Sequence, residues 1–244
     1  MTDSEIVSNL GALTDRIDDF SKIANIPMHK QFISIGHPNR SSHKLSALKS
    51  INVHYTGNEN PGSTDIVNAK YFGRPFDIEK NDFFEKNTKV PFRYGSTAIL
   101  FDNDSGTLAL PLNNTSWAVG DRPLKYTEEF KGQKPLAKYV FKNRQNYESL
   151  NIEMCNNDII KNSDEDWNGS VENAKKFIIW VIKELGLELM VEASLHPETV
   201  TKPYDPGQIL LLRHHDITGK MCPLRFVKNP KEWETFVHDI KEAL

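Results

Sequence analysis

The segment Arg213-His214-His215-Asp216-Ile217-Thr218-Gly219-Lys220-Met221-Cys222-Pro223 sets imidazole, amine and thiol groups close together along the chain. Far upstream, Val53-His54-Tyr55-Thr56 supplies another imidazole, so a zinc site of two histidines and one cysteine can be assembled from distant segments. A catalytic zinc takes three protein ligands and keeps its fourth position open, whereas structural sites are closed by four, usually cysteine-rich, ligands. The chain has two cysteines, Cys155 and Cys222, which argues against a site built from three or four thiolates. Cys222 stands where a ligand is wanted, so both cysteines are expected to be reduced rather than joined.

The elements that must position these groups show in the hydrophobic pattern. Ile51, Val53 and Tyr55 alternate with Asn52, His54 and Thr56, which predicts a strand over Ser50 to Tyr55 with His54 on its more polar face. Leu150, Ile152 and Met154 alternate against Asn151, Glu153 and Cys155, which predicts a second strand. The run Ile209-Leu210-Leu211-Leu212 reads as a buried strand delivering His214 at its carboxyl end. If that strand runs through 214, the side chains of His214 and His215 point to opposite faces, so both do not ligate one ion. Ala98 to Phe101 and Thr107 to Leu112 flank a turn and read as a hairpin.

Helical spacing appears in four places. Ile6, Leu10, Leu13, Ile17 and Phe20 form an apolar stripe, with Ser4 or Asp3 as cap and Pro27 as stop. This stripe is too short for a coiled coil and calls for a helix packed on the domain. Ile66 to Phe72 suggests a helix, Ser170 is placed to cap another from Val171 to Leu185, and Pro230 opens a last one with Trp233, Phe236, Val237, Ile240 and Leu244 inward. Residues 36–46 read as a loop, as does the turn Gly57-Asn58-Glu59-Asn60-Pro61-Gly62, and 122–147 as a long surface excursion.

At 244 residues the chain is long enough to bury a substantial core in one domain, and 38% hydrophobic with 26% charged residues is a globular composition. The net charge of −3 carries no basic footprint, which argues against nucleic acid as a partner. The acidic start, Met1-Thr2-Asp3-Ser4-Glu5, lacks a basic region followed by an apolar one, and no long apolar run occurs. This predicts a chain made in the cytosol, without membrane insertion, that would leave the cell by lysis or non-classical export.

Several blocks occur in the order of a known family. They are Val53-His54-Tyr55-Thr56-Gly57-Asn58, Pro61-Gly62-Ser63-Thr64, Asn68-Ala69-Lys70-Tyr71-Phe72, Ser116-Trp117-Ala118-Val119-Gly120-Asp121, Asn151-Ile152-Glu153-Met154-Cys155, and the His-x5-Lys-x-Cys-Pro pattern ending at Pro223. Together they resemble the zinc-dependent N-acetylmuramoyl-L-alanine amidases of type 2, related to peptidoglycan recognition proteins and found among phage endolysins and bacterial autolysins. The resemblance implies an α/β domain over 35–244, a central mixed β-sheet flanked by α-helices, with residues 1–34 as an N-terminal helical extension. It implies Zn2+ held by His54, His214 and Cys222. His214 fits the family's spacings to Ile217, Lys220 and Cys222, with His215 as the alternative and otherwise an exposed or groove residue. It implies Glu153 as proton shuttle and Lys220 as oxyanion partner, and peptidoglycan as substrate, cut between N-acetylmuramic acid and L-alanine.

The alternative it carries is a recognition module that holds peptidoglycan without cutting, a loss associated with replacement of the zinc cysteine, here retained as Cys222. A His-Glu-x-x-His protease is excluded because that motif is absent. Oligomeric state stays open. Thr97, Ala98 and Ala118 depart from the family pattern and predict altered contacts in the substrate cleft. Trp117, Asp121 and the excursion to Tyr147 are expected to form one groove wall, with Trp117 mainly packing. No wall-binding module follows the last helix, so anchoring is expected from the catalytic domain, the N-terminal extension or a partner.

Overall fold

A computed structural model describes residues 1–57, 62–74, 76–77, 82–83, 95–119, 140, 145–155, 164–201 and 205–244. Asn58 to Pro61, Gly120, Asp121 and most of the predicted excursion lie outside the described residues. In chain order the elements are α1 (Asp3–Asp15), α2 (Ile17–Ala24), β1 (Met28–Lys30), β2 (Ser50–Tyr55), α3 (Asp65–Phe72), β3 (Phe76–Asp77), β4 (Asp82–Phe83), β5 (Ile99–Phe101) and β6 (Gly106–Leu108). They continue with β7 (Ser149–Met154), α4 (Asp164–Leu185), β8 (Glu188–Leu189), α5 (Val191–Leu195), β9 (Gln208–Arg213), α6 (His214–Thr218), α7 (Leu224–Lys228) and α8 (Pro230–Ala243).

Seven strands form one mixed sheet in the order β1-β6-β5-β7-β2-β9-β8, and β3 pairs with β4 apart from it. Every neighbouring pair in the large sheet is parallel except the hairpin β5–β6. The predicted α/β class with a mixed sheet flanked by helices is the observed one. Parallel strands need long crossovers, and helices fill them.

One face of the sheet presents Ile51, Val53, Leu150, Ile152, Ile209 and Leu211 to a single core shared with α1, α2, α4 and α8. Phe20 sits in it with its ring 5.4 Å from Phe177 and 5.3 Å from Trp180. The amino-terminal stripe Ile6, Leu10, Leu13, Ile17 and Phe20 is buried there too. The opposite face has apolar patches around Leu210 and Leu212 and around Leu100 and Ala69, with polar side chains between them.

Several boundaries differ from the sequence reading. The first helix is two, broken at Arg16, and its cap is Thr2, which accepts from the Glu5 amide while the Glu5 carboxylate accepts from the Thr2 amide. A stripe that keeps its spacing across the break hides it. Ser170 lies inside α4 rather than at its start, and its hydroxyl donates to the Cys155 carbonyl at 2.7 Å. Leu244 is 38% exposed and does not join the inward stripe of α8.

Candidate metal centre

The β2–β7 register sets His54 opposite Glu153, and the β2–β9 register sets Val53 opposite Arg213. The carboxyl ends of three adjacent parallel strands therefore meet at one point, the usual location of sites in parallel sheets. Strand β9 does not run through 214 as expected. It ends at Arg213, whose amide donates to the Asp216 carboxylate at 2.8 Å, so α6 begins at His214. The buried Arg213 guanidinium also donates to Asp216 at 2.7 Å and to the Phe226 carbonyl at 3.1 Å, which pins the strand-to-helix corner.

Helix α6 stops at Gly219, whose φ of 80° is a left-handed conformation that glycine adopts without steric cost. The chain then turns back, and His215 holds it through its backbone amide and its ring. Its amide donates to the Cys222 carbonyl at 3.0 Å and its Nδ1 to the Lys220 carbonyl at 3.2 Å. His215 is therefore a buried clamp on the Lys220–Cys222 turn, not the exposed or groove residue expected.

His54, His214 and Cys222 are all buried, and their ligand atoms lie within 4.8 Å of one another. The Nδ1 atoms of the two histidines are 3.1 Å apart, and Cys222 Sγ is 3.9 Å from His54 Nδ1. Tetrahedral zinc with ordinary bond lengths sets nitrogens about 3.3 Å apart and nitrogen from sulfur about 3.6 Å. The two distances from His54 are close to these values, and three protein ligands would leave one corner for a reactant.

Burial sets the protonation of these groups. It depresses the His54 imidazole to about 3, against a partial upward pull from its hydrogen bond to Asn151, and lowers His214 well below the usual range. Both rings are neutral at pH 7, the state a metal ligand needs. Burial pushes the Cys222 thiol up to about 12, a direction the neighbouring Glu153 reinforces and Lys220 opposes. A metal must displace that proton.

Glu153 is partly buried, and its Oε2 has no hydrogen-bond partner among the described residues. Burial raises its carboxyl to about 7, with the nearby Lys220 ammonium holding it down. Lys220 is exposed, and its charge reaches His54, His214, Glu153 and Cys222 alike. A carboxyl poised near neutral pH beside a cluster of metal-ligand donors is suited to carrying protons.

Of the departures noted in sequence, Thr97 and Ala98 are buried rather than cleft-lining; the Thr97 hydroxyl donates to the Asn151 carbonyl at 2.7 Å. Trp117 is partly buried with its ring edge-on to Tyr147 at 6.2 Å, which accords with packing. Asp121 lies outside the described residues. Cys155 is a buried free thiol, as is Cys222. Asn151, Arg213 and Asp216 were not singled out as contributors by residue type, and His215 was weighed only as an alternative ligand. Asn151 had a signal, being an amide at a position where a parallel strand buried on both faces is ordinarily apolar.

Fold and donor set together define a mixed-sheet α/β protein with a two-histidine, one-cysteine cluster at its strand ends. No family model matches the chain. It is similar to N-acetylmuramoyl-L-alanine amidase BlyA of Bacillus subtilis (strain 168), 22% identical over 213 residues that cover 87% of this chain and 46% of that protein. N-acetylmuramoyl-L-alanine amidase CwlL of Bacillus licheniformis is also 22% identical, over 216 residues that cover 88% of this chain and 47% of the relative. The chain thus spans about half the length of these curated relatives. Among solved structures, the catalytic domain of XlyA superposes with a TM-score of 0.56 at 20% identity, covering 88% of this chain and 99% of that one. The chain is thus similar in sequence to proteins named N-acetylmuramoyl-L-alanine amidase and shares the α/β fold of the XlyA catalytic domain.

Proposed function

We propose that the chain is a zinc-dependent hydrolase of peptidoglycan, cutting the amide between N-acetylmuramic acid and the L-alanine of the stem peptide at the bacterial cell wall. The observation that carries this is the convergence of the His54, His214 and Cys222 donor atoms within 4.8 Å of one another, with the Glu153 carboxyl and the Lys220 charge beside them. The similarity to proteins named N-acetylmuramoyl-L-alanine amidase supports the choice of bond.

Zinc held by these three residues would supply a Lewis acid that polarises the amide carbonyl and acidifies water to a pKa of about 7. Glu153 takes the proton from the attacking water on a carboxylate oxygen and returns it to the departing amine. Its raised pKa makes both transfers accessible near neutral pH. Lys220, exposed at the rim, offers its ammonium to the negative charge that gathers on the carbonyl oxygen. His215 serves that step by holding the Lys220 carbonyl.

The test is digestion of purified cell wall by the zinc-loaded protein. New L-alanine amino termini without new reducing sugars are expected. New reducing ends would identify a glycosidase, and binding without release of either would return the recognition-module alternative.

A further inference from the structure

The polar face of the central strands carries a buried hydrogen-bond chain that ends on one of the candidate ligands. The Ser50 hydroxyl donates to Asn52 Oδ1 at 2.7 Å, and Asn52 Nδ2 donates to Asn151 Oδ1 at 3.0 Å. His54 Nε2 meets the same Asn151 oxygen at 3.1 Å. On its other side Asn151 Nδ2 donates to Ser116 Oγ at 2.9 Å and faces the Ser149 carbonyl at 3.4 Å. Ser50, Asn52, His54, Ser116, Ser149 and Asn151 are all at most 1% exposed, so water does not compete for these contacts.

The direction of every bond in this chain is fixed. A backbone carbonyl only accepts, so the group of Asn151 that faces Ser149 is its NH2 and the group that faces His54 is its oxygen. An amide oxygen only accepts as well, so His54 must donate through Nε2. A metal-binding imidazole carries a single N–H, and the bond to Asn151 uses it at Nε2. Nδ1 is then bare, and Nδ1 is the atom 3.1 Å from His214 and 3.9 Å from Cys222. His214 has no such support, since its Nε2 is buried without a partner among the described residues.

We propose that Asn151 is a positioning residue that locks His54 in the Nε2–H tautomer and so presents a bare Nδ1 to the metal before any metal arrives. The role rests on the zinc reading of the site, while the tautomer itself does not. Partners that orient a ligand imidazole through its second nitrogen contribute about 10- to 100-fold to metal affinity or activity. The register makes this possible: Asn151 pairs with Asn52, and His54 lies two residues further along the same face.

The experiment reads ring nitrogens and zinc affinity, not turnover. In zinc-stripped, nitrogen-labelled full-length protein at pH 7, long-range proton–nitrogen correlation should show His54 protonated at Nε2 and bare at Nδ1, its signals identified by their loss in His54→Gln. Asn151→Leu should abolish that preference and weaken zinc binding about 10- to 100-fold in competition with a chromophoric chelator. Asn151→Asp, which keeps an acceptor toward Nε2, should retain the tautomer and stay within a few-fold of the parent affinity. A wild-type His54 protonated at Nδ1 overturns the proposal without recourse to any variant. So does an Asn151→Leu protein that folds, keeps the Nε2–H form and binds zinc as tightly as the parent. A merely structural role for Asn151 would lower stability and leave the tautomer unmoved. Failure of the wild type to bind zinc would sink the zinc reading alone, and the tautomer measurement would still decide what Asn151 does.

Discussion

Glu153→Gln should stabilise the metal-free protein while abolishing its activity, and the gain should depend on pH in a defined direction. The Glu153 carboxyl is raised from 4.5 to about 7 by burial, with Oε2 sealed and unpartnered among the described residues. The unfolded chain ionises at the ordinary value and the folded one resists, so folding is penalised as pH climbs from 4.5 to about 7 and stays penalised above that. At about 1.4 kcal/mol per pH unit the full penalty is about 3.5 kcal/mol, an upper bound that the partial exposure of the residue lowers. Glutamine keeps the shape and removes the ionisation. Urea unfolding of zinc-stripped proteins should therefore show the variant more stable by about 1–3 kcal/mol at pH 8 and nearly equal to the parent at pH 4.5. In zinc-loaded protein the gain should shrink, because a dication beside the carboxylate favours its charged form. Equal stability of the two proteins at pH 8 would refute the claim that burial dominates this carboxyl. An undiminished gain in the loaded protein would place Glu153 away from the metal.

Other substitutions separate the remaining roles. Cys222→Ser should lose most of its zinc by metal analysis, and a fully loaded variant would remove Cys222 from the ligand set. His214→Ala should lose metal and activity together, whereas His215→Ala should keep zinc and lower turnover by loosening the Lys220 carbonyl; the reverse pattern would exchange the two assignments. Lys220→Met should retain zinc and lower kcat about 100- to 1000-fold on cell-wall substrate, and a change within twofold would leave the oxyanion without this partner. We propose residues 1–34 as an extension of the catalytic domain that its core nonetheless requires. Phe20→Ala, which empties a site against Phe101, Phe177 and Trp180, should cost about 3–5 kcal/mol in denaturant unfolding and leave zinc bound.

What the sequence revealed and what it hid divide along physical lines. Alternation exposed β2 and β7, because a period of two survives in short segments, and it assigned His54 to the polar face of its strand; that this face is shared with Glu153 comes from the register. Spacing exposed Cys222 and the adjacent histidines. The corner at Arg213 was hidden because the apolar run of β9 carries no mark of its end; the Asp216 carboxylate sets that end by capturing the Arg213 amide. His215 read as a surface residue because its partners are the backbone carbonyl of Lys220 and that of Cys222, and backbone atoms leave no trace in residue type.

The strongest local signal in the chain was a violation rather than a motif. Central strands of a parallel sheet are covered on both faces and run apolar, and the alternate positions of β2 and β7 instead hold Asn52, His54, Asn151 and Glu153. Burying an amide or a carboxyl costs stability unless each polar atom finds a partner. The two asparagines satisfy each other, with Ser50, Ser116 and His54 completing the chain of bonds, so their burial is offset within the sheet. Glu153 Oε2 and His214 Nε2 are not offset among the described residues. The unsatisfied atoms belong to residues proposed to act on the reactant and to hold the metal, and the satisfied ones to residues proposed to orient them. A sheet that tolerates this pattern has traded fold stability for a prearranged site, which is why stabilising Glu153→Gln and losing catalysis should be one event.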